Sequence, residues 1–550
     1  MLFYILLFLT CLLLYKLWGK RDDPNRLIEV PDGPWRLPLI GNMLQLGDRP
    51  YEKMFEWTKK YGPVYKVYLG SQLVVVLNGT DVVREALIEN AEEFAGRPHL
   101  YMIHATLKGK GVISAPYNQD YSEHKKFLQM SFNRFGRRRS SLEVNCLQTI
   151  RETLDEYRER IDHNFEYTNN QMKNSISKIT SQNVLTMTFG TRMHDKKIFS
   201  HLMDLITENF ENTAVAAAFN FLPITRFFKS FILKNVLRCS EFLNNLISEK
   251  MEEYHEVIDQ FDDLSDKFES NIIECYLKEL MNNVVVFDKT ISDSFYTTNR
   301  TPSYNCVSRR LTEKRRSSLT TELLNNVDNQ RRKSRYTSFS FDHLSSIVQD
   351  LFIAGTETIS TSLNWALVYA AKYQNYQDRI TEEIDRVLGR EKLPTESDRP
   401  KLAFCEAFLN ETMRMISAGP ILVPRSTTKD VTFKGFYIPE NTFIMVNMWS
   451  CMRDPEYWSE PNEFKPDRFL DENGNFKCKN PAMMPFSVGK RACIGESIAR
   501  LQMFLIFTSL MQKFNFSFAN QQDLYDGNML KGIPGVGLNS PHVSLKLKLR

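Results

Sequence analysis

The order of apolar and polar positions divides the chain into stretches of different kind. Leu2 to Trp18 is almost wholly apolar, broken only by Thr10 and Lys16. As a helix it would span roughly 25 Å, enough for a thin endoplasmic-reticulum bilayer. Lys16, Lys20 and Arg21 lie at its far end and place the rest of the chain on the cytosolic side. A cleaved signal peptide needs small residues at its cleavage site; Leu14-Tyr-Lys-Leu-Trp-Gly19 lacks them, so residues 1–20 read as an uncleaved single-pass anchor. The sequons at Asn78, Asn299, Asn410 and Asn515 would then stay unmodified. Pro31-Asp-Gly-Pro-Trp-Arg-Leu-Pro-Leu-Ile-Gly-Asn42 cannot continue a helix and makes residues 21–45 a stiff, basic and proline-rich hinge.

Beyond the hinge, Val64-Tyr-Lys-Val-Tyr-Leu and Gln72-Leu-Val-Val-Val-Leu predict a β-hairpin. A helix follows at Asp81, with Thr80 or Asp81 as its cap. Phe94-Ala-Gly-Arg-Pro98 leads into a glycine-bearing loop, His99 to Pro116. Residues 121–290 carry mostly helical patterns. Within them Ala217 to Phe228 is strongly apolar and suits either a core helix end or a segment that dips into a membrane. Residues 283–338 change character: Ser, Thr, Asn and Arg dominate, with Lys314-Arg-Arg-Ser-Ser and Arg331-Arg-Lys-Ser as weak basic kinase sites at Ser317 and Ser334. This reads as a disordered surface insertion. A long apolar helix runs from Leu344, short strands fill Val431 to Val446, and Gly532-Ile-Pro-Gly-Val-Gly537 is a turn.

Composition narrows the class. Apolar residues at 42% support a sizeable core, and a net charge of +4 gives no argument for nucleic acid. Nine cysteines without a Cys-x-x-Cys pair suggest neither a disulfide framework nor a zinc site.

Three local constellations carry chemistry. Phe486-Ser-Val-Gly-Lys-Arg-Ala-Cys-Ile-Gly495 delivers one cysteine, Cys493, to the start of a helical pattern. Lys490, Arg491 and a helix N-terminus should favour its thiolate. Ala354-Gly-Thr-Glu-Thr358 places an acid and hydroxyls inside an apolar helix, where buried polar groups need a reason. Glu411 and Arg414 lie three apart on one helix face, as a surface pair or as part of a buried one.

Together, and in this order, these motifs resemble the cytochromes P-450 from Pro31 onward. The resemblance implies a mainly α fold with small β-sheets around a buried haem, preceded by one N-terminal transmembrane helix, with residues 46–550 as the catalytic domain. It implies haem b, with Cys493 as the axial thiolate ligand of iron. Phe486, Gly489, Arg491 and Gly495 would shape the cofactor loop, and Arg425 would meet a haem propionate. Gly355 would leave room for dioxygen, Thr358 would hydrogen-bond its distal oxygen, and Glu357 would help relay protons. The family often has a second hydroxyl residue where this chain has Ile359. Glu411, Arg414 and Arg468 would form a buried structural triad. Tyr121 and Lys125 stand where the family commonly has Trp and Arg and would point at a propionate. The implied activity is monooxygenation of an apolar small molecule. No Gly-x-Gly-x-x-Gly is present, so electrons would come from NADPH–cytochrome P-450 reductase, with cytochrome b5 as a possible helper. Lys125, Lys126, Lys477 and Lys490 offer a basic docking surface as the alternative use of Lys125. Rival readings are a haem-thiolate isomerase or dehydratase, and a non-catalytic haem sensor or carrier; the retained Glu357 and Thr358 argue against both.

Overall fold

The computed structural model describes residues 30–101, 104, 108–137, 139–161, 167–193, 195–215, 220–222, 237–250, 270–280, 338–520, 531–535 and 537–550. The expected anchor lies outside them, as do residues 281–337, which hold nearly all of the expected insertion. Among the described residues no helix is long and apolar enough to cross a membrane.

The fold is mainly helical with small sheets. Its principal helices are α1 (Pro50–Tyr61), α2 (Gln119–Arg137), α3 (Arg139–Ile161), α4 (Asn169–Phe189), α5 (Lys196–Val215), α6 (Phe341–Lys372), α7 (Gln374–Val387), α8 (Ala403–Ile416) and α9 (Glu496–Lys513). The axis of the core is α6. Its apolar residues run round the whole helix, and Trp365, Leu367 and Val368 are as buried as Ile347 and Phe352. A helix so largely apolar must be covered on most sides, and α4, α7, α8 and α9 cover this one except at Ala354 and Thr358. Ser340 caps its start by accepting from the His343 amide. Helix α4 begins with a Thr168–Gln171 capping box and ends at Gly190 in the left-handed region.

The largest sheet runs in the order β1 (Val64–Leu69), β2 (Gln72–Leu77), β7 (Phe443–Val446), β4 (Arg425–Ser426). The expected hairpin is its edge, in a register from Val64 opposite Leu77 to Leu69 opposite Gln72. The β-branched run of β2 is buried on both faces, as a central strand requires. This sheet puts Arg425 beside the C-terminal cysteine loop. The Phe221 ring lies tilted against Phe443, centres 5.9 Å apart, so the described part of the 217–228 stretch packs on the sheet. Elsewhere β3 (Tyr167–Thr168), β11 (Ser544–Leu549) and β8 (Phe514–Phe518) form a second sheet. Two further pairs are β5 (Val431–Phe433) with β6 (Phe436–Ile438), and β9 (Ile533–Pro534) with β10 (Leu538–Asn539).

One local expectation is corrected. Neither Thr80 nor Asp81 caps the helix that begins at residue 80; Gly79 holds the cap position without a side-chain bond. Tertiary partners take these groups instead. The Gly79 and Thr80 amides donate to Ser450 Oγ and Asp454 Oδ2, each at 2.9 Å, and Tyr457 donates to Asp81.

Candidate active site

The cysteine loop is closed on itself by the Cys493 amide donating to the Phe486 carbonyl at 2.9 Å. Gly489 has φ +77°, and a Cβ there would overlap the Leu87 carbonyl, so only glycine lets the loop seat against that helix. At Gly495 the nearest atom to an added Cβ would be the sulfur of Cys493, 4.0 Å away. Phe486 is half-buried beneath the Arg500 guanidinium, 4.9 Å from its ring centre.

The Cys493 side chain is exposed and borders a cavity. Burial raises its pKa, a Gly495 backbone hydrogen bond opposes this, and Glu496 adds to it. The expected thiolate-favouring charges are directed elsewhere. Lys490 pairs with Glu92 at 2.8 Å, and Arg491 donates to the carbonyls of Ala95, Val112 and Ala115. Helix α9 starts only at Glu496, three residues on. A bound metal cation is therefore what would drive the proton off.

Above the loop, the cations Arg97, Lys125, Arg425 and Arg491 gather. Arg491 and Arg425 act unfavourably on Arg97 and Lys125, and Arg491 on Arg425; Asp350 is the carboxylate that opposes this at Arg97, and among the described residues none of the four cations forms an ion pair. Arg97 gives its hydrogens to the carbonyls of Ile113, Val423 and Pro424. Arg425, 2% exposed, reaches the Phe94 carbonyl and Ser487 Oγ and leaves its Nε buried without a partner among the described residues. Burial, then Arg491, lowers the Arg425 pKa to about 9. Burial, then Arg491 and Arg425, lowers those of Arg97 and Lys125. A guanidinium does not surrender its proton in such a place; burial, with the neighbouring cations second, is what makes these charges costly. Tyr121 Oη donates to the Lys490 carbonyl at 2.9 Å, and Lys125 Nζ donates to the same oxygen. The Arg491 guanidinium lies 3.7 Å above the Tyr121 ring. The two α2 residues thus converge on the cysteine loop itself, at the border of the cluster. The donor set fits a ligand with carboxylates.

On α6, Ala354 and Thr358 are exposed amid buried neighbours and form one strip of the helix. Thr358 Oγ1 donates to the Ala354 carbonyl at 2.6 Å. Gly355 turns away from this strip: a Cβ there would stand 3.0 Å from Val184 Cγ2 of α4, so its missing side chain serves close helix packing and not the open strip. Glu357 also turns away, buried against Lys173 of α4. Asp350, one turn before Ala354, clamps the loop after Lys108. Its Oδ2 accepts from the Val112 and Ile113 amides at 2.7 and 3.0 Å. Burial pushes its pKa to about 7 against the pull of those two amides and of Arg97.

Glu411 and Arg414 are fully buried and joined by two bonds of 2.7 and 2.8 Å. Arg468 reaches the same carboxylate at 3.1 Å, and the Lys465 amide donates to it at 2.8 Å. The remaining Arg414 hydrogens go to the carbonyls of Met452, Pro461 and Glu463.

Sequence reasoning gave no role to Arg97, Lys173 or Asp350. Arg97 carried a faint signal, as a cation directly after the short apolar run Phe94-Ala-Gly96 and before Pro98. A polar cavity of about 700 Å3 also opens beside Cys493, between Gln129, Phe132 and Asn133 of α2 and Glu396, Arg399, Glu496 and Arg500. Arg97, Ala354, Thr358 and Arg425 are not among the residues that line it.

Comparison with known proteins returns the cytochrome P450 family model over residues 31–547. Cytochrome P450 2C23 of Rattus norvegicus is 32% identical over 92% of this chain and 90% of its own length. Cytochrome P450 1A1 of Pleuronectes platessa is 31% identical over 96% and 92%, and cytochrome P450 2J2 of Homo sapiens 30% over 92% and 88%.

Proposed function

This chain belongs to the cytochrome P450 family, a family of haem-thiolate monooxygenases, and from that premise we propose that it oxidises an apolar small molecule at the endoplasmic-reticulum membrane. The substrate class is a sterol, fatty acid or xenobiotic. The electrons come from NADPH–cytochrome P-450 reductase, with cytochrome b5 as auxiliary donor.

The observation that carries this reading is the anion-hungry cluster of Arg97, Lys125, Arg425 and Arg491 above the Cys493 loop. Haem b brings two propionates and an iron, which are what the cluster and the sulfur lack. Cys493 would hold the iron, Arg97, Arg425 and Arg491 would neutralise the propionates, and Tyr121 and Lys125 would brace the loop through the Lys490 carbonyl. When bound, the haem supplies the centre at which dioxygen is activated. The chain's own part is to exclude water, to orient the substrate against the Ala354–Thr358 strip, and to deliver protons. Thr358 Oγ1 would be the hydroxyl that delivers protons on the open strip, with Glu357 as the acid behind it. The Glu411–Arg414–Arg468 triad locks the core beneath the loop and takes no part in chemistry.

The polar cavity lined by Cys493 and Arg500 would suit the electron donor, since it opens directly beside the cysteine loop. Membrane attachment rests on the apolar run from Leu2 to Trp18. Shortly after it stand Trp35, Leu39 and Leu44, which are 69, 75 and 72% exposed.

The reduced carbon monoxide spectrum tests the whole. Wild type should give the thiolate band and Cys493→Ser should lose it together with turnover. A thiolate band that survives the substitution removes the proposal. Thr358→Ala should keep haem yet release peroxide in place of product, and titration of the Soret band with sterols, fatty acids and xenobiotics should identify the ligand class.

A further inference from the structure

We infer that Ser338 is a phosphorylation site, and that a phosphate there releases α2 from the start of α6. The effect on haem derived below rests on the bracing role proposed for Tyr121 and Lys125. Ser338, Phe339 and Ser340 belong to no helix or strand and lead into α6, and each makes a separate tie. Ser338 Oγ donates to Glu123 Oε2 of α2 at 2.5 Å. The Phe339 ring is buried against His124 and Phe127 of α2 and against Tyr276, with ring centres 4.9, 5.6 and 4.9 Å away. Ser340 bonds Tyr276 Oη through its amide and its carbonyl, and its side chain caps α6. Glu123 in turn accepts from Gln119 Nε2 at 2.8 Å, which fixes its carboxylate on the first turns of α2.

Of the three ties, the first is the one that a modification can reverse. An ionised carboxylate only accepts, so the Ser338 hydroxyl must donate. Ser338 is half-buried, and Arg335 stands three residues before it, the spacing that an arginine-directed protein kinase reads. Such a kinase would move the terminal phosphoryl group of ATP. The bond from Ser338 Oγ to phosphorus forms, the bond from that phosphorus to the bridging oxygen of ADP breaks, and the hydroxyl proton leaves to water. A donor is thereby replaced by acceptor oxygens carrying a charge of about −1.5 to −2, set against a carboxylate. The two groups repel, the lead into α6 lifts, and Phe339 is drawn from among its rings. Glu123 stands between Tyr121 and Lys125, so loosening here reaches the two side chains that meet the Lys490 carbonyl.

The test uses the full-length haem-loaded protein. Treatment with ATP and an arginine-directed kinase, in a Ser334→Ala background, should place phosphate on Ser338, as mapped by mass spectrometry. Ser338→Glu should raise deuterium uptake in residues 119–127 and 338–345 and speed haem transfer to apo-globin several-fold. Ser338→Ala adds no charge and should stay near wild type. Ser338→Glu combined with Glu123→Gln should return both readings toward wild type, because the opposing carboxylate is gone. An unmodified Ser338, wild-type uptake in Ser338→Glu, or an effect undiminished by Glu123→Gln overturns the inference. If Ser338→Glu is recovered only without haem, the double variant decides: haem retained supports the inference and haem absent overturns it. Raised uptake with unchanged haem transfer keeps the phosphate-sensitive tie and strikes the bracing role of Tyr121 and Lys125. Deuterium uptake does not depend on thiolate ligation, so its failure is distinct from loss of the carbon monoxide band, which would strike the proposed function.

Discussion

Two groups of buried arginines lie in this molecule, and they are finished to different degrees. Around Glu411, Arg414 is 0% exposed and its hydrogens go to a carboxylate and three carbonyls. Around Arg425 the guanidinium is almost as deep, yet among the described residues it has no carboxylate and one buried nitrogen has no partner. A buried charge costs several kcal/mol unless it is paired. The first group is complete in the polypeptide and belongs to the fold. The second is complete only with something added and belongs to the site. The state of satisfaction, more than burial or residue type, tells the two apart.

The comparison can be broken by substitution. Glu411→Leu should be the most damaging change, because it leaves Arg414 and Arg468 buried without an anion. A loss of about 3–5 kcal/mol is expected, read as failure to recover folded, haem-containing protein. Arg425→Met should act with opposite signs in two states. The haem-free chain should gain about 1–3 kcal/mol in a urea titration, since an unsatisfied buried donor is removed. The loaded protein should lose haem faster. Destabilisation of the haem-free chain by Arg425→Met would place this arginine with the structural group.

Lys125 sharpens the boundary. Lys125→Ala should speed haem transfer to an apo-globin acceptor several-fold, and Lys125→Arg should restore or slow it. Equal transfer rates for wild type and Lys125→Ala would assign the lysine to a docking surface. The smallest effect is expected from replacing residues 281–337 with a short flexible linker. Tyr276 Oη bonds both the amide and the carbonyl of Ser340 at 3.0 Å, so the flanks are already held together. Closure entropy changes slowly with loop length. Haem content should match wild type, and its loss would show that the segment is structural.

What could be read in the sequence follows from the range of the interactions. The cysteine loop, the Ala354–Thr358 turn and the Glu411–Arg414 pair are local spacings, and the hairpin at residues 64–77 is a local alternation. Arg97, Lys173 and Asp350 act on partners 16 or more residues away, and most of those partners are backbone groups or side chains on other elements. No periodicity marks such a residue. The mistaken cap at Thr80 has the same origin: a local rule lost to Asp454, 374 residues further on. So does the mistaken thiolate argument, since Lys490 and Arg491 are adjacent in sequence to the sulfur but spend their charges on Glu92 and on backbone carbonyls.

The bonds from Arg491 to the carbonyls of Ala95, Val112 and Ala115 cross 396, 379 and 376 residues. At typical synthesis rates the ribosome needs about 20–80 s to cover such a gap. During that interval the segments around Leu87 and Ala95 have left the exit tunnel while the cysteine loop does not yet exist. The recess that Gly489 will fill against the Leu87 carbonyl stays open throughout. Cofactor loading is therefore bound to the end of translation, and a chain released before residue 493 would present a half-built, cation-rich cleft to chaperones and proteases.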